Sequence, residues 1–239
     1  MKKSAILVLS ILVITIGTVL FFISRNNTNH ELVRINEILT EFSSIDVDLN
    51  STDLNIISVD SSNFRLLGQI HSDGLNWSVQ DDTLTLSEPD RINVNILNAE
   101  ISSPKITLEV PRGFLEEAEI KTISGYVNIT NMLFNRLYVD IISGDLTLTD
   151  VNANIFEAKS LSGDTLSNRI ISENININVT SGDVRLNLPY GRADYDYTTN
   201  TLSGDVSITG VQEAIADIIR NIHITTVSGD IYLNFLGLQ

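Results

Sequence analysis

Residues 123–164 read ISGYVNITNMLFNRLYVDIISGDLTLTDVNANIFEAKSLSGD, and the Ser-Gly step inside this stretch returns at a constant interval. Followed outward it recurs as Ser124-Gly125, Ser143-Gly144, Ser162-Gly163, Ser181-Gly182, Ser203-Gly204 and Ser228-Gly229, with glycines 19, 19, 19, 22 and 25 residues apart. Such self-similarity marks a stacked-repeat architecture, because each unit can bury its apolar face only against the next copy of itself. Positions two and four after each glycine, and five and seven before it, are mostly apolar (Val127 and Ile129, Ile120 and Ala118 in the first unit). Alternation on both flanks predicts strand, tight corner, strand, with one face inward. Glycine suits a corner that needs positive φ and close approach of neighbouring coils. The serine hydroxyl is expected to bond the turn backbone.

The expected fold class is therefore all-β, a single-stranded β-solenoid (β-helix-like) of about 19-residue coils, preceded by an N-terminal transmembrane helix. Two departures carry their own expectations. Thr165 and Ser167 stand where neighbouring units place aliphatics, which predicts a local distortion in the third unit. The longest interval holds VQEAIADIIRN at residues 211–221, where Val211, Ile215, Ile218 and Ile219 have the spacing of a short helix that shields the open end of the solenoid.

Upstream, the period changes to two from Ile45. Strands are expected at residues 45–49, 54–59, 64–70, 75–79, 83–87, 92–97 and 105–110, with turns at Asp73-Gly74 and Asp81-Asp82. Residues 45–113 thus read as a meander-like first half and 114–239 as the repeats of one domain. Residues 26–44 read as a linker, polar at first, whose Leu32, Ile35, Ile38, Leu39 and Phe42 suit a short helix or strand. Residues 5–23 (AILVLSILVITIGTVLFFI) carry no charge and match the roughly 20 residues that cross a bilayer. No small-x-small cleavage site follows, so residues 1–25 read as a cytoplasmic tip and an uncleaved signal anchor. Lys2 and Lys3 against Arg25 alone place the N-terminus in the cytoplasm and the C-terminal domain outside the cell membrane.

After the anchor, 12 basic residues face 30 acidic ones, a net charge of −18. Such a surface repels nucleic acid and suits cations, cationic peptides or basic wall components. The expected partners are the membrane, through residues 5–23, and an envelope protein or wall component. The absence of Cys excludes a disulfide framework, a lipidated cysteine and thiolate metal sites.

Asp145, Asp164, Asp183, Asp205 and Asp230 occupy one position in five units. Stacked carboxylates repel unless each is locally hydrogen-bonded or a cation lies between them. Bonds from the adjacent serine and from turn amides are expected to satisfy them, and calcium held between coils, which takes six to eight oxygens, is the alternative. His30, His71 and His223 sit in unrelated segments without metal-ligand spacing. No nucleophile elbow and no phosphate-binding glycine loop is present. The repeated serines are corner residues, since a nucleophile needs to occur only once. Arg136, Lys159, Arg169, Arg185, Arg192 and Arg220 do not recur at one position, as the groove of a polysaccharide-cleaving solenoid would require. Outward positions after the glycines are too mixed for an ice-ordering threonine array, and Trp77, Tyr190, Tyr195 and Tyr197 read as packing residues. No catalytic residue and no cofactor is expected.

The units ISGY (123–126), ISGD (142–145), LSGD (161–164), TSGD (180–183), LSGD (202–205) and VSGD (227–230), together with IDVDLNSTDLNI at 45–56 and ITLEVP at 106–111, resemble the putative-adhesin family of bacterial envelope proteins. The likeness spans about residues 45–239, and Tyr126 in place of Asp departs from it. It implies an extracytoplasmic β-solenoid, sometimes associated with envelope stress, without an assigned reaction. The expected function is a non-catalytic, membrane-anchored envelope protein acting by surface recognition or scaffolding, in adhesion or envelope stress. The alternatives are a β-helix carbohydrate-active enzyme and a calcium-stabilised adhesive module.

Overall fold

The computed structural model describes residues 32–71, 74–89, 104–111, 114–216 and 218–237. The apolar run 5–23 with Lys2, Lys3 and Arg25, the linker up to residue 31, His30, Asp73 and the strand expected at 92–97 lie outside the described residues. Among the described residues no helix is long and apolar enough to cross a membrane.

The strands are β1 (Leu32–Leu39), β2 (Ser44–Leu49), β3 (Asp53–Val59), β4 (Phe64–His71), β5 (Asn76–Gln80), β6 (Thr83–Ser87), β7 (Lys105–Pro111), β8 (Phe114–Thr122), β9 (Val127–Thr130) and β10 (Leu133–Ser143). They continue as β11 (Leu146–Thr149), β12 (Val151–Ser162), β13 (Thr165–Ser167), β14 (Ile170–Ser181), β15 (Val184–Leu188), β16 (Tyr195–Ser203), β17 (Val206–Gly210), β18 (Arg220–Ser228) and β19 (Ile231–Phe235). They form two sheets, one ordered β1-β4-β7-β3-β9-β11-β13-β15-β19-β17 and the other β16-β18-β14-β12-β10-β8-β2-β6-β5. Each coil is a strand of the second sheet, a corner, and a strand of the first. Neighbouring coils pair in parallel, so Leu146 lies between Val127 and Thr165, and Leu137 between Ala118 and Phe156. The inward columns form one core: Val127, Leu146, Val184 and Ile231 from one sheet are buried with Ala118, Leu137, Phe156, Ile175 and Ile222 from the other. Strict alternation of aliphatic and polar residues is what permits two flat apolar faces to meet.

The spatial order of the coils differs from the chain order at both ends. The β18–β19 coil lies between β14–β15 and β16–β17, and the β2–β3 coil lies between β6–β7 and β8–β9. The longer intervals of 22 and 25 residues follow from this, because the chain must step past one coil position and then return. The return, residues 211–219, forms no helix where it is described, contrary to the helix expected there. Val211, Ile215, Ile218 and Ile219 are exposed, and their helix-like spacing builds no buried face. Residues 32–39 of the expected linker are strand β1, paired antiparallel with β4 and with Ile35 and Leu39 packed on the core. The meander expected over 45–113 is confined to antiparallel β1-β4-β7 and β5-β6; β2, β3, β6 and β7 are parallel solenoid coils. At the third unit the distortion is limited to a three-residue strand in unbroken register, with Thr165 and Ser167 buried in the aliphatic columns.

Candidate recognition face

The corners stack as ladders. Ser143, Ser162, Ser181, Ser228 and Ser203 are successive register partners, and the amides of Gly144, Gly163, Gly182 and Gly229 donate to serine carbonyls of the adjoining coil at 2.9–3.1 Å. The serine hydroxyls point outward. The hydroxyls that bond the turns sit three residues before the glycine: Thr122 Oγ1 accepts from the Gly125 amide at 3.1 Å, and Thr226 Oγ1 donates to the Gly229 carbonyl at 3.0 Å. That corrects the expected role of the corner serines, whose side chains face away from the stack.

Four of the five aspartates bond the turn amide of the next coil rather than their own. Oδ1 of Asp145, Asp164, Asp183 and Asp230 accepts from the backbone N–H of Asp164, Asp183, Asp230 and Asp205 respectively, always at 2.8 Å. Asp230 is held below its ordinary range by the Asp205 amide first and then by the Tyr232 hydroxyl, which donates to Oδ2 at 2.7 Å. Arg185 bonds Asp183 at 2.6 Å and covers the Tyr232 ring. Among the described residues no group of three or more His, Asp or Glu is placed to hold a metal ion.

Sequence reading missed a seventh corner, Ser51-Thr52-Asp53, because threonine replaces the glycine. Asp53 Oδ1 accepts from the Tyr126 amide at 3.0 Å, and buried Thr52 lies directly behind Gly125. Glu88 closes this end of the ladder, accepting from the amides of Asn50, Ser51 and Thr52 at 2.6–3.2 Å and from the Thr52 hydroxyl at 2.6 Å. At the opposite corner, Asp194 is fully buried and accepts from the amides of Gly191, Ile215 and Ala216. It thereby clasps the 3-10 turn Arg192–Asp194 to the returning segment, and Arg220 seals the site by lying 3.9 Å over the Tyr190 ring.

The outer face of the second sheet is ordered by register into rows that cross the strands. Beside the corner runs an exposed apolar row, Ile123, Ile142, Leu161, Thr180, Val227 and Leu202, with Ile123, Ile142, Leu161 and Val227 about half exposed and Leu202 83% exposed. Six strands in a row extend about 24 Å. Further from the corner, β8, β10 and β12 carry charge: Glu117, Arg136, Glu119, Tyr138, Glu157, Lys121, Asp140 and Lys159, joined by the Glu117–Arg136 and Glu119–Lys121 ion pairs. The same rows continue onto β14, β18 and β16 as Asn174, Asn221, Asp196, then Asn176, His223, Thr198, then Asn178, Thr225, Asn200. Asn221 donates to Asn174 at 3.0 Å and Asn178 to Asn176 at 3.2 Å. An open groove of about 380 Å³ lies over the first two of these rows, running from Ile155 and Glu157 on β12 to Asp196 and Thr198 on β16.

The groove holds two carboxylates, Glu157 and Asp196. They stand on β12 and β16, three strand spacings and two residues of register apart, about 16 Å between backbones. His223 lies in this groove, 3.4 Å from Thr225 Oγ1, while His71 ends β4 in the other sheet. Trp77 is half exposed on β5. Tyr195 and Tyr197 pack on Phe235, and burial chiefly pushes the Tyr195 hydroxyl up.

A family model described as Toastrack DUF4097 matches residues 42–237. No curated protein matches the chain. Among solved structures, a putative cell adhesion protein from Clostridium sporogenes ATCC 15579 is similar at 14% identity and a TM-score of 0.55, covering 84% of this chain and 99% of that one. A putative adhesin from Bacteroides fragilis NCTC 9343 is similar at 17% identity and a TM-score of 0.47, covering 85% and 97%. A putative lipid binding protein from Parabacteroides distasonis ATCC 8503 is similar at 15% identity and a TM-score of 0.43, covering 85% and 97%.

Proposed function

The chain belongs to the Toastrack DUF4097 family, and on that premise we propose that it is a non-catalytic envelope protein that works by surface recognition or scaffolding. The uncharged run 5–23 supports membrane anchoring with the domain outside the cell, and the acidic balance that follows supports a partner other than nucleic acid. The observation that carries the reading is the exposed apolar row Ile123, Ile142, Leu161, Val227 and Leu202. An ordered apolar strip rimmed by polar rows is the usual mark of a contact surface. Threonine already occupies this row at position 180, so Ile142→Thr, Leu161→Thr and Val227→Thr together remove its apolar character in a manner the coil tolerates. Crosslinking on intact cells followed by mass spectrometry is expected to yield partners with the native chain and to lose them with this triple variant. Identical partners from both chains, or none from cells that display the folded domain, would overturn the reading.

A further inference from the structure

We propose that the amide half of this face, on β14, β18 and β16, is a binding site for an uncharged polysaccharide; this rests on the recognition reading and names a ligand class for it. A carboxamide presents two N–H donors and a carbonyl acceptor, which matches a sugar hydroxyl that both donates and accepts. The nine outward positions of the three rows hold five asparagines and two threonines, with Asp196 and His223 as the other members. Asn221 and Asn174 bond each other, which fixes their amide planes and leaves the Asn174 N–H pair and the Asn221 carbonyl for a ligand.

Charge selects the class. On β8, β10 and β12 the same rows hold three basic and four acidic residues, so the uncharged character of the other three strands is local and not a property of the whole face. An anionic polymer is repelled by the net −18 of the chain after residue 25, and a cationic one finds only two carboxylates, Asp196 and Glu157, at opposite edges of the groove. The groove volume of about 380 Å³ falls within the range of small-ligand sites, and half-buried Ile155 at its edge gives a sugar ring an apolar contact. Within each row the strands repeat about every 4.8 Å, so an extended chain of similar units meets polar partners at each step. A purely structural asparagine ladder would satisfy its amides strand to strand; here Asn200 makes no such bond and Asn176 is bonded along its own strand.

The test is co-sedimentation of the full chain, in detergent, with insoluble chitin and insoluble cellulose as uncharged probes and with polygalacturonate gel as an anionic one. Retention on at least one uncharged polymer is expected, weakened at least tenfold by Asn176→Ala with Asn221→Ala and by His223→Ala alone. Asn128→Ala, on the outer face of the other sheet, is expected to leave it unchanged. Circular dichroism of each variant confirms that it is folded, and His223, being exposed, gives a variant that retains the fold if the double change does not. No retention on either uncharged polymer, retention on the anionic gel alone, or equal retention by folded variants would overturn the proposal. Crosslinked partners that vanish with the apolar-row triple variant would leave the recognition reading standing in that case.

Discussion

A β-carbon added at Gly163 would fall on the carbonyl oxygen of Gly144, and the residue's φ of 137° is one that L side chains rarely adopt. Both costs are local and neither can relax without separating two coils. Gly163→Ala is therefore expected to lose about 2–4 kcal/mol in a urea melt, against near-neutrality for a substitution on the outer face of a sheet such as Asn128→Ala. Thr52 occupies the equivalent corner without strain because its φ is not positive. Asp230 illustrates a chemical rather than a steric constraint. The Asp205 amide and the Tyr232 hydroxyl keep its folded pKa below the ordinary 3.8, so its contribution to stability is present above that pH and disappears as pH falls through the lowered value. Asp230→Asn is expected to flatten the loss of stability on acidification below about pH 4, measured as urea midpoints across a pH series.

Among elements, the returning segment 211–219 is tied down by Asp194 as well as by Arg220, which donates to the Ile218 carbonyl at 3.1 Å. Asp194 is fully buried and supplies acceptors to three amides from two segments. Asp194→Ala strands those donors, so a loss of about 2–4 kcal/mol is expected, with new cleavage near residues 213–218 in limited proteolysis. How this segment was misread shows where local pattern stops being informative. Its four aliphatics have helical spacing, yet all four are exposed, and its path is dictated by the need to step back one coil. Strand β1 was ambiguous for a related reason: Leu32, Ile35, Ile38 and Leu39 have helix-like spacing, and only pairing with β4 makes the segment a strand. By contrast the 19-residue period, the corner glycines and the inward columns were legible, because each is imposed by contacts between near-identical neighbours. The amide half of the candidate face was not: Asn174 and Asn221 are 47 residues apart in sequence and meet only through the inserted coil.

At the scale of the whole molecule, the insertion of β18–β19 is directly testable, since the chain has no native Cys. Asn174 and Asn221 are register partners on neighbouring strands, whereas Asn174 and Asp196 are separated by β18 and lie about 10 Å apart. Paired parallel strands bring Cα atoms within disulfide range and a two-strand gap does not. The Asn174→Cys, Asn221→Cys pair is expected to oxidise readily to a crosslinked monomer, and the Asn174→Cys, Asp196→Cys pair to remain reduced, as read by thiol labelling under denaturing conditions. The reverse result would restore simple chain order to the coils.

Because β19 is flanked on both sides by β15 and β17, a pull applied to the chain beyond Phe235 cannot peel the rod open one rung at a time. It must shear two ladders at once while the Asp194 clasp holds the segment that leads into β18. The outermost coil, the one most easily frayed by heat, is tethered at both of its ends to coils further inside. Tension and thermal fraying thus act on different parts of the molecule.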